Sequence, residues 1–343
     1  YKESGDLFLG KSLDGGTTWS TPVRVNDAAG EVYAYGDYEI AVSPVTGSVF
    51  LTWVDRRVGS LHVFMARSID GGNTFEPNLQ ADSVSRNASK PSLAVGANGM
   101  IYVGYRGYHT GSVHPSPYEV WLTRVAEVAA TQPLAVENAV RVSDTPEQDN
   151  RVKVVAGAGN ELFLCWVTFD GDLFASHSAD AGRTFAAESQ VNDITGSADH
   201  GFDVARYQGT VYVLWGDSRT DREGDVFVDS ADASLSFGTD TQVNDVTRRY
   251  QEYPSLAIRG AGELHAFWQD LRDNAASYDV FTSTSADGGR TWSTSERVNT
   301  DRPEDQRKVQ VVFDAQGTAY CAWQDERHNP GTTQFDLYLA KGR

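Results

Sequence analysis

Five copies of one eight-residue pattern recur along the chain and constrain its fold more than any other feature. Most copies read Ser-x-Asp-x-Gly-x-Thr followed by Trp or Phe, and they occupy residues 12–19, 68–75, 178–185, 230–237 and 285–292. Their aspartates are 56, 110, 52 and 55 residues apart, and the interval of 110 corresponds to two periods with one copy eroded. A repeat of this length predicts a solenoid, a propeller or another array of supersecondary units.

The remainder of each period predicts four β-strands, A to D in chain order. Strand C precedes the repeated pattern, and strand D follows it and often ends in Val-Asn-Asp. Strand B ends in a large aromatic residue six times, at Trp53, Tyr105, Trp166, Trp215, Trp268 and Trp323. Alternating β-branched and aromatic residues between Gly, Asp and Asn turns are typical of antiparallel hairpins, and no segment has a helical period.

The strand count predicts an all-β, six-bladed β-propeller of four-stranded antiparallel blades, with residues 1–343 as a single domain and repeats of about 55 residues. Strand C occurs seven times, because the chain begins and ends with one. We therefore expect the last blade to be closed by both termini, and a five-stranded blade is one arrangement that would do so. The alternative is that the chain is a fragment of a longer array.

The repeated pattern resembles the Asp-box (BNR repeat), a hairpin of sialidases and related β-propellers, and this resemblance covers nearly the whole chain. Ser and Asp side chains bond backbone amides in tight turns, and Gly supplies positive φ. A pattern present in five blades cannot be one active site, so we interpret the pattern as structural. In the family these hairpins lie away from the catalytic face, which agrees with that interpretation.

Composition excludes some classes of partner. The net charge of −18 disfavours binding to nucleic acids and to anionic membrane surfaces. The sequence also has no long apolar run that would predict membrane insertion. Cys165 and Cys321 are predicted to be buried free thiols. The sequence predicts no cofactor and no metal site, because the segments that loosely resemble calcium loops lack the full spacing. The resemblance implies secretion, and further domains of a longer parent protein remain open.

The loops between strands B and C lie at the same end of the blades as the loops that precede strand A. We expect the functional site at this end, because binding residues concentrate on loops held by a rigid scaffold. A Trp-x-Asp-x-Arg pattern recurs there and ends at Arg57, Arg219, Arg272 and Arg327. Sialidases hold a substrate carboxylate with three arginines, which makes these four candidates for substrate binding. The alternative is structural, since each arginine has its own aspartate two residues earlier and a repeated ion pair would have this form.

The second repeat breaks the symmetry, because it has lost the repeated pattern and gained a long insertion between strands B and C. This insertion supplies three more candidate substrate-binding residues, Arg106, Tyr108 and His109. Aromatic rings, an arginine and histidines together suit stacking on sugar faces and bonding to hydroxyl groups. The alternative is a surface insertion without a ligand.

The resemblance also implies a catalytic set, namely a carboxylic acid and a tyrosine nucleophile activated by a glutamate. On this chain it implies Asp37 as the acid, and Glu252 with Tyr250 or Tyr253 as the nucleophile pair. The Arg-Ile-Pro type motif that opens strand A in sialidases is replaced here by the segments at 89–91 and 252–254. The arginine most diagnostic of sialidases is therefore absent.

Taken together, these features predict a secreted, sialidase-like propeller that acts on or binds carbohydrate, with an acidic glycan as the substrate. Whether it is an enzyme is left open by the sequence; if it is one, a glycosidase or a polysaccharide lyase is expected. The alternative is a noncatalytic propeller that binds a glycan or a protein.

Overall fold

The structure is a computed structural model that describes residues 4–33, 37–83, 86–108, 118–127, 132–144, 148–219, 223–273, 277–300, 305–328 and 335–342. These residues form β-strands and no helix, and six antiparallel sheets follow one another in the arrangement of a six-bladed β-propeller. The predicted fold class is confirmed. The chain divides into two compact units, residues 1–170 with 174–189 and residues 171–173 with 190–343. That the whole chain is a single domain stays a prediction.

The first two large sheets and a small N-terminal sheet are built from thirteen strands. They are β1 (Ser4–Gly5), β2 (Phe8–Leu9), β3 (Val23–Arg24), β4 (Val32–Tyr33), β5 (Tyr38–Val42), β6 (Val49–Asp55), β7 (His62–Ser68), β8 (Leu79–Gln80), β9 (Arg86–Val95), β10 (Met100–Tyr108), β11 (Tyr118–Ala126), β12 (Ala135–Val136) and β13 (Val140–Arg141). The first sheet has the order β1-β4-β6-β7-β8 with β5 paired to β6. The second has the order β12-β11-β10-β9 with β13 paired to β11, and β2 pairs with β3.

The other four sheets pair their strands in chain order, as A-B-C-D in the third to fifth and as A-B-C in the sixth. Their strands are β14 (Asp149–Ala156), β15 (Leu162–Thr168), β16 (Leu173–Ser178), β17 (Ser189–Gln190), β18 (Ala198–Tyr207), β19 (Thr210–Asp217), β20 (Asp225–Ala231), β21 (Thr241–Gln242), β22 (Gln251–Arg259), β23 (Glu263–Asp270), β24 (Asp279–Ser285), β25 (Glu296–Arg297), β26 (Gln306–Phe313), β27 (Ala319–Asp325) and β28 (Asp336–Gly342). The sixth sheet has only β26, β27 and β28.

The expected closure of the last blade is not seen among the strand pairs of the described residues. β28 pairs with β27 alone, and β2 pairs with β3 alone. The five-stranded order that the count of C strands suggested is therefore absent from this part of the chain.

Strand B is the buried centre of each sheet, and its large aromatic residue packs in the core. Trp53, Trp166, Trp215 and Trp268 are at most 1% exposed. In the first unit, Trp166 packs with residues of the neighbouring sheet, among them Tyr102 and Leu122. Full burial of one such side chain contributes about 1.5–3 kcal/mol, so the six-fold recurrence of the aromatic residue accounts for much of the core.

A buried asparagine after strand D explains the recurrent Val-Asn-Asp. Its Oδ1 accepts a hydrogen bond of 2.8 Å from the backbone N–H near the start of strand C; the pairs are Asn26 with Leu7, Asn192 with Leu173, Asn244 with Val226 and Asn299 with Val280. A buried backbone N–H has to be paired. The asparagine side chain accepts a hydrogen bond from this N–H of strand C because strand D is too short to do so.

Four of the five repeated patterns form the same hydrogen-bonded turn between strands C and D. In residues 68–75, Ser68 Oγ accepts from Gly72 N at 2.8 Å, while Asp70 accepts from Thr74 N at 2.9 Å and from Thr74 Oγ1 at 2.7 Å. The turns at 12–19, 178–185 and 285–292 repeat these bonds. The polar groups are used inside each turn, which supports the structural interpretation.

Both cysteines are free and buried, as predicted. Burial raises the pKa of the Cys165 and Cys321 thiols to about 12, so neither is a thiolate at neutral pH.

Candidate functional site

The four Trp-x-Asp-x-Arg segments form one repeated structure at the end of strand B. The aspartate accepts a hydrogen bond from the Trp Nε1 at 2.8–3.0 Å and from the arginine backbone N–H at 2.7–2.9 Å. The arginine guanidinium forms an ion pair with that aspartate at 2.5–2.7 Å. It also lies 3.7–4.3 Å from the centre of an aromatic ring of strand C, which is Phe64, Phe227, Phe281 or Tyr338.

These contacts favour the structural interpretation of Arg57, Arg219, Arg272 and Arg327. Each of the four aspartates has a fully buried side chain, and a buried carboxylate is stable only when it is paired and hydrogen-bonded. Burial opposes ionisation of Asp217, but hydrogen bonds from Arg219, Trp215 and Ser197 lower its pKa below the usual value. The proposed role of the four arginines in substrate binding gains no support from this geometry.

A different arrangement occurs in the first unit, where two cationic residues pair with one aspartate and the charge of that aspartate also acts on a third cation, Arg106. We call Lys90, Arg106, Arg151 and Asp37 the cationic group. Asp37 Oδ2 lies 3.4 Å from Lys90 Nζ and 3.5 Å from an Arg151 guanidinium nitrogen. Asp37, for which the resemblance implies the role of the acid, is a counter-ion to these two cations in the structure, and its role as an acid stays a prediction.

The Arg106 side chain forms no ion pair and no hydrogen bond in the described part of the chain, and its Nε is buried without a partner. Its guanidinium carbon lies 4.5 Å from the ring centre of Tyr118 and 5.5 Å from that of Phe169. Tyr108 packs edge-on against Tyr118 at 5.5 Å. Aromatic faces attract a cation, but they leave the N–H groups of the guanidinium without acceptors.

Backbone geometry and charge single out Lys90 as well. Lys90 has φ 55°, a left-handed conformation that is rare for a residue with a side chain. The pairing of β9 with β10 is irregular here, between Ser89–Arg106 and Ser92–Gly104. Burial lowers the pKa of Lys90, and the charges of Arg151 and Arg106 act in the same direction. Irregular strand segments of this kind commonly re-aim a side chain at a functional site.

The second unit contains a group of two carboxyls and a tyrosine, Asp199, Glu252 and Tyr278, which we call the carboxyl–tyrosine group. The Tyr278 hydroxyl donates a hydrogen bond to Glu252 Oε1. The Arg307 guanidinium lies 5.2 Å from the Tyr278 ring centre. Burial raises the pKa of Tyr278, and the hydrogen bond to Glu252 raises it further.

Asp199 completes this group as a carboxyl without a hydrogen bond in the described residues. Burial raises its pKa, and the negative charges of Glu252 and Asp217 add to the effect. Glu252 lies beside a second left-handed residue, Tyr253, which has φ 50°.

The structure brings together some of the predicted site residues and separates others. Arg106 and Tyr108 lie with Tyr118 as described above. Tyr250 is 45% exposed and makes no hydrogen bond to Glu252, whose tyrosine partner is Tyr278 instead. His109 lies outside the described residues.

Sequence reasoning missed Tyr278 and gave Asp199 no role, although a symmetry argument could have found both. Tyr278 directly precedes strand C, where the third and fourth repeats have Gly171 and Gly224. Asp199 lies in strand A of the fourth repeat, and strand B of that repeat has Gly216 after the tryptophan, where the fifth and sixth repeats have glutamine.

Two searches of the described residues bear on other kinds of site. No group of three or more His, Cys, Asp or Glu side chains there is suited to hold a metal ion. The same part of the chain has no helix of the length and apolarity that a membrane crossing requires.

Sialidases and a polysaccharide lyase are among the solved structures that resemble this chain. The Trypanosoma rangeli sialidase aligns over 98% of this chain and 59% of its own, with a TM-score of 0.59 and 11% identity. A PL25 ulvan lyase, solved with a bound -[GlcA(1-4)Rha3S]- saccharide, aligns over 98% and 87%, with a TM-score of 0.63 and 10% identity. The NanB sialidase from Streptococcus pneumoniae aligns over 89% and 67%, with a TM-score of 0.55 and 10% identity.

These similarities show the fold, because at such low identity one fold can carry different activities. The chain spans about three fifths of the T. rangeli sialidase. The sequence matches no protein-family model and no curated protein.

Proposed function

We propose that this protein is a sialidase-like, Asp-box propeller that acts on a glycan carrying carboxylate or sulfate groups. The observation that carries the proposal is Arg106, a guanidinium with a buried Nε and no ion pair in the described residues, near Lys90 and Arg151. Two cations pair with one carboxylate, Asp37, next to Arg106, in a chain whose net charge is −18. A ligand with an anionic group would supply the acceptors that Arg106 lacks.

Tyr108 and Tyr118 support a sugar as the remainder of the ligand. Their rings pack edge-on next to the guanidinium, and such rings stack on the apolar faces of sugars. His109 belongs to the same insertion and remains a proposed ligand residue from the sequence. Asp37 is proposed to act as the counter-ion that the anionic group of the ligand displaces.

Glycoside hydrolysis is the reaction class we propose, because Glu252 and Tyr278 form the pair that a tyrosine nucleophile needs. The phenol donates to the carboxylate, so Glu252 is positioned to take the phenolic proton as Tyr278 attacks. Tyr278 replaces Tyr250 in this role. Secretion is proposed on the resemblance to sialidases alone.

The test is a turnover screen over sialosides and uronic-acid oligosaccharides, coupled to glycan-array binding. Arg106→Met preserves much of the side-chain volume, and Arg183→Met, in an exposed repeat turn, is the matched control. We expect binding or turnover of acidic glycans that Arg106→Met weakens by at least tenfold and Arg183→Met leaves unchanged. Unsaturated products would indicate a lyase, and binding without turnover would indicate a noncatalytic module. The absence of both binding and turnover would overturn the proposal.

A further inference from the structure

A serine, a histidine and an aspartate form one line of hydrogen bonds in the first sheet. Ser60 lies in the loop between β6 and β7, His62 is the first residue of β7, and Asp82 follows β8. Ser60 Oγ lies 2.8 Å from His62 Nε2, and His62 Nδ1 lies 2.8 Å from Asp82 Oδ1. The side chain of Asp82 is fully buried. A hydroxyl bonded to an imidazole, whose second nitrogen is held by a buried carboxylate, has the connectivity of a serine hydrolase triad.

The other sheets show that the histidine is not needed for the fold. In the fifth sheet, strand C begins with Asp279, and Asn299 after strand D donates from Nδ2 to that aspartate at 2.7 Å. In the first sheet, Asp82 takes the place of the asparagine and still accepts from a backbone N–H of strand C, that of Val63, at 2.7 Å. His62 takes the place of the aspartate. The exchange keeps the hydrogen bond to the backbone and adds a base beside Ser60.

The hydrogen bonds of Asp82 set the tautomer of His62. Both carboxyl oxygens of Asp82 accept, from Val63 N at 2.7 Å and from Gln80 Nε2 at 3.3 Å, as an ionised carboxylate does. Burial raises the pKa of Asp82, and the hydrogen bond with His62 acts in the opposite direction. His62 Nδ1 therefore carries the proton, and Nε2 accepts from the Ser60 hydroxyl.

The loop leaves Ser60 open to a substrate. Ser60 and His62 are partly exposed, and the two residues before Ser60, Val58 and Gly59, are exposed. The backbone N–H groups of Ser60 and Leu61 donate no hydrogen bond within the described residues, so they remain available to the oxygen of a carbonyl under attack. An open loop of this kind favours a short acyl chain.

We propose that Ser60, His62 and Asp82 form an acyl-transfer site that hydrolyses esters of short carboxylic acids. This is a second activity, and it does not depend on the proposed action on an acidic glycan. Ser60 and His62 are the catalytic residues, because they meet the reacting atoms. Asp82 is a positioning residue, which holds the imidazole in the tautomer that accepts from Ser60.

The proposed reaction consumes only the ester and water. Ser60 Oγ attacks the carbonyl carbon and gives its proton to His62 Nε2. The bond from that carbon to the alcohol oxygen then breaks, the electron pair stays on the departing oxygen, and this oxygen takes the proton from Nε2. Water attacks the acyl group on Ser60 and gives a proton to Nε2. The bond to Ser60 breaks, Ser60 Oγ recovers the proton, and the carboxylic acid leaves.

Hydrolysis of 4-methylumbelliferyl acetate by three variants tests the site. Ser60→Ala removes the nucleophile, while the double variant His62→Asp, Asp82→Asn restores the pair of the fifth sheet and removes the base. We expect both to lose at least about 100-fold in kcat/KM, with thermal unfolding of the double variant unchanged. The matched control is Ser218→Ala, in the equivalent loop of the fourth sheet, whose hydroxyl donates to Ser197 O at 3.1 Å. It should keep the activity of the parent.

Two readouts do not depend on turnover. A fluorophosphonate should modify Ser60 in the parent and not in the double variant, as mass spectrometry of peptides would show. In ¹⁵N NMR of neutral His62, Nε2 should carry no proton. The Gln80 amide nitrogen lies 3.0 Å from His62 Nδ1, and if it donated there, the proton would be on Nε2 and Ser60 would have no base.

Any of four results would overturn the proposal. They are a proton on Nε2 of neutral His62, modification by the fluorophosphonate only at other residues, ester hydrolysis that Ser60→Ala retains, and no ester hydrolysis by the parent. None of them bears on the proposed binding of acidic glycans, which Arg106→Met tests separately.

Discussion

The Trp-Asp-Arg segments and the cationic group use the same charged residue types in opposite ways. Arg57 is bound by a buried aspartate, stacked on a phenylalanine and repeated in three other sheets. The Arg106 guanidinium lies against two aromatic rings, forms no ion pair in the described residues and occurs once. A cation whose partners are built into the repeat contributes to stability, whereas an unpartnered cation lowers stability and is retained for another reason. Repetition therefore indicates structure here, and its interruption indicates the site.

Removing the aspartate of one segment should produce the largest effect. Asp55→Ala leaves Arg57 without its buried partner and the indole N–H of Trp53 without an acceptor, so we expect the free energy of unfolding to fall by about 3–5 kcal/mol. Urea unfolding followed by tryptophan fluorescence measures this. The matched control is Asp27→Ala, which removes the half-exposed second partner of Arg57 and should cost under about 1 kcal/mol. Equal losses for the two variants would contradict the structural role.

A carboxylate with one unpaired oxygen, in the second unit, extends the comparison to negative charge. Asp229 Oδ2 is buried without a hydrogen bond in the described residues, and burial, aided by Asp240 and Asp193, raises the pKa of Asp229 to about 6. The unfolded chain loses this proton near pH 4, so stability falls as the pH rises from about 4 to 6. Asp229→Asn should remove this decline and gain about 1–2 kcal/mol at pH 7.5, because one pKa unit corresponds to about 1.4 kcal/mol and partial exposure reduces the full shift.

Unfolding at pH 4 and pH 7.5 checks this expectation. The variant and the parent should be equally stable at the lower pH. A difference that does not change with pH would mean that the carboxyl of Asp229 is not the titrating group.

Arg106→Met sharpens the comparison, because the same exchange should change stability in opposite directions at two sites. At Arg106 it removes a partly buried charge without a partner, and we expect a gain of about 1 kcal/mol. At Arg219 the same exchange removes the partner of the buried Asp217 and should destabilise the protein. Thermal unfolding of both variants measures the difference, and destabilisation by both would remove the distinction between the two regions.

The smallest effect is expected in a repeat turn. Thr74→Val removes the hydroxyl that donates to Asp70 at 2.7 Å but keeps the backbone donor at 2.9 Å. The loss should be near the limit of detection in thermal unfolding. Hydrogen bonds from Thr74 and Ser68 lower the pKa of Asp70, so their stabilisation is present above pH 4 and is lost in acid. The difference between variant and parent should shrink accordingly, and a large loss at every pH would indicate a packing role for Thr74.

The fold could be predicted from the sequence because each repeat carries its own local signals. The B-strand tryptophans and the Ser, Asp and Thr of the turns are fixed by contacts within or next to one sheet. That β28 pairs, among the described residues, with β27 alone could not be predicted, because a count of strands does not say which strands pair when they are distant in sequence.

The candidate site could be predicted only in part, for a related reason. Arg106 was identified because it interrupts a repeat that is visible in the sequence. Tyr278 was missed because its contact with Glu252 joins strands A and C across the middle of a sheet, where sequence spacing carries little information. The four repeated arginines were kept as candidates because chemical type alone does not reveal that a partner is already bound.

The most direct test of the central claim is a binding titration with two forms of one ligand. A glucuronic-acid oligosaccharide and its carboxyl-reduced, neutral counterpart would be titrated calorimetrically into the parent, Arg106→Met and Arg183→Met. The account predicts that the parent and Arg183→Met bind the acidic form at least tenfold more tightly than the neutral form, and that Arg106→Met loses this preference. An unchanged preference in Arg106→Met would contradict the assignment of the cationic group as the site.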